Sequence, residues 1–381
     1  MVRGVPLKVI VVGAGIAGLT LAWALSRRGH AVSVYEQGPI PNPIASSFDE
    51  HRTTRHAYGS MTGYANLMPK AFQIWETLFR DLGRRHYEPV GIVYFMRGGT
   101  PWLEPSLASL NQLAVPYKEV PIADVPGRFP MINPEGLTHV LETEGAGMLF
   151  PNRIMSDLIV LLSQRGVGLH AYSKVDSVDP DRATITVGGE TIGADVVAVT
   201  AGPWVDRLIP MLKRMVTPSR QAVAYLAPPP ELAEAWSRAP VIADLSEESR
   251  CYALPPRFGT RMKVGNHNFT REGDPDAPRL ASDDDLEPVR RSVRRAFLGF
   301  ERYAELERKA CYYTVEDKEQ FVVRPIGASG WVVSACSGHG FKLQPLITDG
   351  LARAIVGECD ADTVTGWAAG RSNVDLGEVT R

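Results

Sequence analysis

Lys8–Glu36 reads KVIVVGAGIAGLTLAWALSRRGHAVSVYE, and the spacing of its glycines decides the fold. Lys8 to Val12 is a short apolar run, and Gly13, Gly15 and Gly18 follow as G-x-G-x-x-G. An apolar helical pattern comes next, and a second strand-like run, Ala31 to Tyr35, ends on Glu36. The order is strand, tight turn, helix, strand. Each part has a task in dinucleotide binding. Gly13 permits the turn, Gly15 lets the backbone approach a pyrophosphate, and Gly18 lets the helix pack closely on the strand, while the helix N-terminus offers N–H groups and a positive dipole end. Glu36 stands where an acid accepts hydrogen bonds from a ribose hydroxyl. Glycine makes up 35 of 381 residues, so the glycine pattern alone is weak. Strand, helix and acid in register with it make it a dinucleotide-binding unit.

The rest of the composition narrows the class. A chain of 381 residues predicts two domains or one large domain with insertions. A net charge of -2, with no basic run interleaved with aromatics, argues for small-molecule partners and against nucleic acid. Cys251, Cys311, Cys336 and Cys359 are too scattered for a disulfide framework, and neither they nor the histidines have metal-ligand spacing, so no metal is expected. Val9 to Leu25 imitates a signal peptide or membrane span, but the phased glycines and Arg27–Arg28 make it a buried strand and helix. The expectation is a cytoplasmic enzyme with no membrane partner.

Outward from the fingerprint, a Pro- and Ser-rich loop leads into FDEHRTTRHAYG, Phe48 to Gly59. Arg52 and Arg55 in it suit phosphate or carboxylate, because guanidinium stays charged and binds bidentately; a solvated loop is the plainer reading. Helical spacing covers Tyr64 to Leu82, and a strand returns near Glu142 to Pro151. ADVVAVTAGPW, Ala194 to Trp204, reads as a buried strand running into a second ligand-side turn. Alternating strands follow at Gln221 to Leu226, Tyr252 to Leu254 and Arg261 to Val264, with an acidic helix start at Ser282 to Asp285. Near the C-terminus, Ser337 to Lys342 breaks the chain before a final helix, Leu346 to Val356. Both ends of the sequence thus point at one cofactor.

These segments together resemble the monomeric sarcosine oxidase and N-methyltryptophan oxidase family, flavin-dependent amine oxidases of the D-amino-acid oxidase superfamily. The resemblance is carried by VVGAGIAGL, RTTRHAYG from Arg52, the ALP and MKVGNH segments around Tyr252 and Lys263, ACYYT around Cys311, and CSGHGFK ending at Lys342. It implies an α/β fold: a Rossmann-like FAD-binding domain (residues 1–84, 143–215 and 310–381) interleaved with an α+β substrate domain built on an antiparallel sheet (85–142 and 216–309). It implies FAD held by Gly13, Gly15, Gly18, Glu36, Gly338, Gly340 and Phe341, and joined covalently through Cys311. Arg55 and Lys342 then grip a substrate carboxylate with Tyr252 beside it. Lys263, His267 and Arg52 become the catalytic group, with Lys263 assisting reaction with oxygen. The implied reaction converts a secondary amine, N-methyl or cyclic imino, of an amino acid to an imine and oxygen to hydrogen peroxide, in a monomer. The alternative is an FAD-dependent amino-acid dehydrogenase or desaturase using another acceptor.

The chain departs from the family at one place. Where relatives read H-G-D-T-R, it reads F-D-E-H-R from Phe48 to Arg52. His51 is the neighbour that could compensate for the missing histidine.

Overall fold

In the computed structural model, which describes residues 5–99 and 101–376, Lys8–Val12 forms strand β1, Ile16–Arg27 helix α1 and Ala31–Tyr35 strand β2. β1 pairs in parallel with β2 on one side and with the Val196–Val199 strand on the other. Val9 to Val12 are therefore covered on both faces, which is why the run is continuously apolar. The sheet has six strands in the order 322–326, 330–334, 196–199, β1, β2, 168–170. Its pairings are parallel except that of Val322–Ile326 with Gly330–Ser334.

Gly18 sets how α1 lies on this sheet. A Cβ there would fall 1.9 Å from the Gly13 carbonyl oxygen, so only hydrogen fits. Held so close, α1 buries Leu19, Leu21, Trp23 and Leu25 completely, and the Trp23 ring N–H donates to Asp81 at 2.9 Å. A helix from the other end of the chain, Gly340–Ile355, packs along it, with Thr348 Oγ1 donating to Thr20 Oγ1 at 2.9 Å and Arg28 paired to Asp349 at 2.9 Å. The sequence pattern starts that helix at Leu346. It starts at Gly340 instead, because buried Phe341 and Leu343 extend its apolar face backwards, and it runs on through Pro345 in its second turn. Lys342 is consequently a residue of the first helical turn, not of the glycine-rich turn before it. A further helix, Ala361–Ala368, follows.

The second sheet has eight strands in the order 304–315, 217–227, 262–266, 251–254, 241–244, 92–97, 137–143, 117–119. It is antiparallel except where Val241–Asp244 runs alongside Ile92–Arg97. Helix Asp283–Ala296 packs on it, entered through the reciprocal Ser282–Asp285 cap that its acidic start foreshadows. The Ala304–Val315 strand escapes sequence reading because its first half, AELERK, is charged and half-solvated. It pairs with Thr217–Ala227 along almost its whole length. Its far end reaches the first sheet. Thr314 Oγ1 lies 3.0 Å from Ser334 Oγ, and the Ala335 and Ser337 N–H groups donate to Thr314 Oγ1 and to its carbonyl at 2.8 and 3.0 Å. A small sheet of 52–54, 147–149 and 87–88 carries Arg52 beside this junction. No helix among the described residues is long and apolar enough to cross a membrane.

Candidate active site

Residues of both sheets wall a cavity of about 1090 Å³, large for a small-molecule site. Gly13, Gly15, Glu36, Arg52, Arg55, Tyr252, Lys263, His267, Cys311, Gly338, Gly340, Phe341 and Lys342 all line it. Of the site residues that the resemblance implies, Gly18 alone is not among them, since it acts one layer back between α1 and β1.

At one end the turn after β1 is locked from behind. Gly13 has φ +104°, and a Cβ there would meet the Thr200 carbonyl oxygen at 2.7 Å. Thr200 Oγ1 lies 3.0 Å from both the Val12 and Gly13 carbonyls. Gly15 is different, because a Cβ there would approach only Ser47 Oγ, at 3.3 Å, leaving the backbone open to a ligand. Ser47 Oγ accepts the Ile16 N–H at 2.9 Å. The Glu36 carboxylate accepts from the Ala14 N–H at 2.8 Å, Asn42 Nδ2 at 2.9 Å and the Gly38 N–H at 3.2 Å. A carboxylate has about four lone-pair sites, so one remains for a hydroxyl in the cavity.

At the other end Ala335, Ser337 and Gly338 all have left-handed backbone, φ 56°, 41° and 76°. Two of them are not glycine, which is strain of the kind held at ligand sites. The helix that follows has no side-chain N-cap, and its first turn, Gly340 to Lys342, faces the cavity. Two helix N-termini thus converge on one space. Gln344 Nε2 on the same wall is buried without a partner. Open backbone at Gly15, two positive helix ends and an unpartnered donor fit FAD. Cys311, a free thiol on the Ala304–Val315 strand, also lines the cavity.

The next group is cationic. The Arg55 guanidinium lies 4.5 Å from the Tyr58 ring centroid, and its Nε is buried without a partner. Lys342, 5 % exposed, donates to the His339 carbonyl at 3.3 Å and lies 6.0 Å from the same ring. Neither forms an ion pair with an acid among the described residues. Burial first and Arg55 second push the Lys342 pKa well below the usual lysine range. His267, exposed towards the cavity, lies 5.2 Å from Tyr252 with the two rings tilted by 47°. Burial, then Arg55, Lys342 and Arg250, bring its pKa down to about 3, so it is a neutral imidazole at neutral pH. Burial raises Tyr252 to about 12.

Lys263 forms the third group with a residue that the sequence reading missed. Lys263 Nζ donates to Asp49 Oδ2 at 2.9 Å and to the His51 carbonyl at 2.7 Å. Asp49 also takes the Tyr225 hydroxyl at 2.5 Å and the Arg52 guanidinium, and Arg52 Nη2 reaches the Ser46 carbonyl at 2.8 Å. Phe48 lies under Lys309, whose Nζ is 5.2 Å from its ring and donates to its carbonyl at 2.9 Å. His51 does not compensate for the family histidine. Its ring is fully buried and turned to the Arg261 carbonyl at 2.8 Å, off the cavity wall. Asp49, Asn42, Ser47, Thr200 and Gln344 were all hidden in segments that read as connectors or core. Asp49 beside Glu50 looked like solvated charge, and only its position next to the Phe48 departure marked it.

A model of the DAO family, FAD dependent oxidoreductase, matches residues 8–354. The N-methyl-L-tryptophan oxidase of Yersinia pestis (strain Pestoides F) is 26% identical over 343 residues, 87% of this chain and 90% of that protein. Among solved structures, NikD, an unusual amino acid oxidase essential for nikkomycin biosynthesis, superposes with a TM-score of 0.78 at 21% identity, over 94% of this chain and 96% of that one. L-proline dehydrogenase from P. horikoshii superposes with a TM-score of 0.81 at 16% identity, over 96% and 98%.

Proposed function

The chain belongs to the DAO family of FAD dependent oxidoreductases, and from that premise we propose that it oxidises the secondary amine of an N-methylated or cyclic amino acid to an imine, with oxygen reduced to hydrogen peroxide. The observation that carries this reading is the pair of basic side chains, Arg55 and Lys342, which form no ion pair with an acid among the described residues and line the cavity next to a neutral His267. Such a pair is matched by a ligand carboxylate, and two donors fix its orientation as well as its affinity.

When bound, the flavin supplies the two-electron acceptor for the amine's C–H bond. Gly13, Gly15, Glu36 and the Gly338 to Phe341 turn would hold it, with Cys311 as its covalent anchor. The protein's own contribution is to orient the substrate and to set its protonation. Arg55 and Lys342 fix the carboxylate, and with Arg250 they add a field to the burial that keeps His267 neutral. The same field disfavours an ammonium on the substrate, so the amine loses its proton and its lone pair can drive C–H cleavage. Neutral His267 has a ring nitrogen free to accept a hydrogen bond from that amine.

On this reading residues 1–84, 143–215 and 310–381 bind FAD, and 85–142 and 216–309 shape the substrate side; residues 1–4, 100 and 377–381 of these ranges lie outside the described residues. The Ala304–Val315 strand crosses the boundary with Cys311 near it. The reading includes a cytoplasmic monomer, and the four cysteines are free thiols, as a reducing compartment keeps them.

Anaerobic mixing with a panel of N-methyl and cyclic amino acids should bleach the flavin absorbance, and the same substrates in air should release peroxide. Their analogues without the carboxylate should do neither at comparable concentration. A panel that leaves the flavin oxidised throughout ends the proposal. Acid-denatured protein should pellet yellow, whereas Cys311→Ala should leave the colour in the supernatant; equal release from both would remove the covalent anchor from the reading.

A further inference from the structure

Asp49 is 5 % exposed, yet its one carboxylate receives Lys263 Nζ at 2.9 Å, the Tyr225 hydroxyl at 2.5 Å and the Arg52 guanidinium. Its backbone is fixed as well, its N–H donating to Asn152 Oδ1 at 3.0 Å. Two cations sharing a buried acid is a demanding arrangement, because each charge must be taken from water. The chain builds it at the step in sequence where it departs from its relatives, with Phe48–Asp49 in place of histidine and glycine.

The effect falls on Lys263, which is 1 % exposed. An ammonium has three N–H bonds. Asp49 and the His51 carbonyl occupy two, leaving one for the cavity that Lys263 lines. The other groups around it mostly oppose its charge. Burial is the largest effect, and Arg52 from the 52–54 strand and Lys309 from the 304–315 strand add to it. His51 is neutral and Tyr225 stays a phenol. The groups of helpful sign besides Asp49 are Cys311 and Glu50, and Glu50 is occupied by Arg261 at 2.7 Å.

We propose that Asp49 is a positioning residue which, without touching cofactor or substrate, holds Lys263 as an ammonium in one orientation with a single N–H presented to the cavity. What that charge is used for rests on the flavin reading; its existence does not. Burial and Arg52 push the Lys263 pKa well below the usual lysine range; the Asp49 carboxylate, 2.9 Å from Nζ, works against that push and keeps the proton on, and without it burial and Arg52 take the proton away.

The holoprotein labelled with [13Cε]lysine tests this, since only nine lysines give signals and K263M identifies the one of interest. The Lys263 resonance should keep its ammonium shift to pH 9 or above. In D49N its midpoint should fall by at least 2 pH units, and D49E should restore most of it. In parallel, reoxidation of the photoreduced flavin by oxygen should become pH-dependent in D49N with the same midpoint. A neutral Lys263 at pH 7 in the unaltered protein, or an unchanged midpoint in D49N, overturns the proposal. If D49N does not fold, the titration of the unaltered protein and of D49E still decides. Failure of every amine to reduce the flavin would leave this titration standing, so the two readings fail separately.

Discussion

Arg55→Met should lower kcat/KM roughly 30- to 5,000-fold and at the same time raise the Tm of the ligand-free protein by about 1–3 °C. The first effect follows from the loss of one partner in a buried, hydrogen-bonded ion pair with the substrate carboxylate, about 2–5 kcal/mol, where each 1.4 kcal/mol is tenfold. Part of the loss should fall on kcat, because a single remaining cation fixes position but not direction. The second effect has the opposite sign because in the free protein Arg55 forms no ion pair with an acid among the described residues, Glu319 acting on it only at longer range. After burial, Arg55 is the main group opposing a charge on Lys342, which also sits in the first turn of a helix, at the positive end of the dipole. Removing the guanidinium relieves that repulsion. Thermal melts with and without substrate analogue, beside steady-state kinetics, check both. A variant that loses activity and stability together would show Arg55 to be a structural residue, and the carboxylate cradle would go with it.

The protein should also lose about 6 kcal/mol of stability between pH 8 and pH 5, against a total of about 5–15 kcal/mol for a typical fold. His51, His56 and His339 are 0 %, 9 % and 4 % exposed. Burial is the main cause that lowers their pKa values from 6.5 to about 3, 4 and 3, with Lys263 adding to it for His51 and Lys342 for His339. A folded-state pKa below the unfolded one means the unfolded chain takes up protons first. The stabilisation is therefore complete above pH 6.5 and is lost as pH falls towards the folded values. At pH 5 each ring contributes a loss of about 2 kcal/mol. His267 has a similar shift but opens onto the cavity, so solvent there weakens its share. Urea midpoints at pH 8, 6.5 and 5 measure the slope, and His56→Gln should remove about a third of it. A midpoint that does not move between pH 6.5 and 5 refutes the argument.

The parts of this molecule that are legible in its sequence are those whose partners are close in the chain. The turn between β1 and α1, the packing of Gly18 and the cap at Ser282 are written in neighbouring residues, so spacing reveals them. Cys311 and Lys342 could be named only because the surrounding segments resemble a family, and the glycines at 338 and 340 read as a break where the helix carrying Lys342 in fact begins. Asp49 was illegible for a stronger reason. Its partners, Lys263 and Tyr225, lie on strands of the second sheet far along the chain, and a loop gives no periodicity from which to tell a buried carboxylate from a solvated one. Long-range charge pairing is fixed by where loops turn, and local patterns do not encode that.

The position of β1 in the middle of its sheet has a consequence for synthesis. Val197, the pairing partner of Ile10, is made roughly 190 residues later, which at typical rates is about 10–40 s on the ribosome. The Gly340–Ile355 helix that covers α1 follows later still. Until then the β1–α1–β2 unit emerges with Leu19, Leu21, Trp23 and Leu25 uncovered, a client for whatever shields apolar nascent chains. The wall formed by Gly340 to Gln344 is translated after every other lining residue of the cavity, so the cofactor site is complete only late and the cofactor cannot serve as a template for the chain's earliest folding.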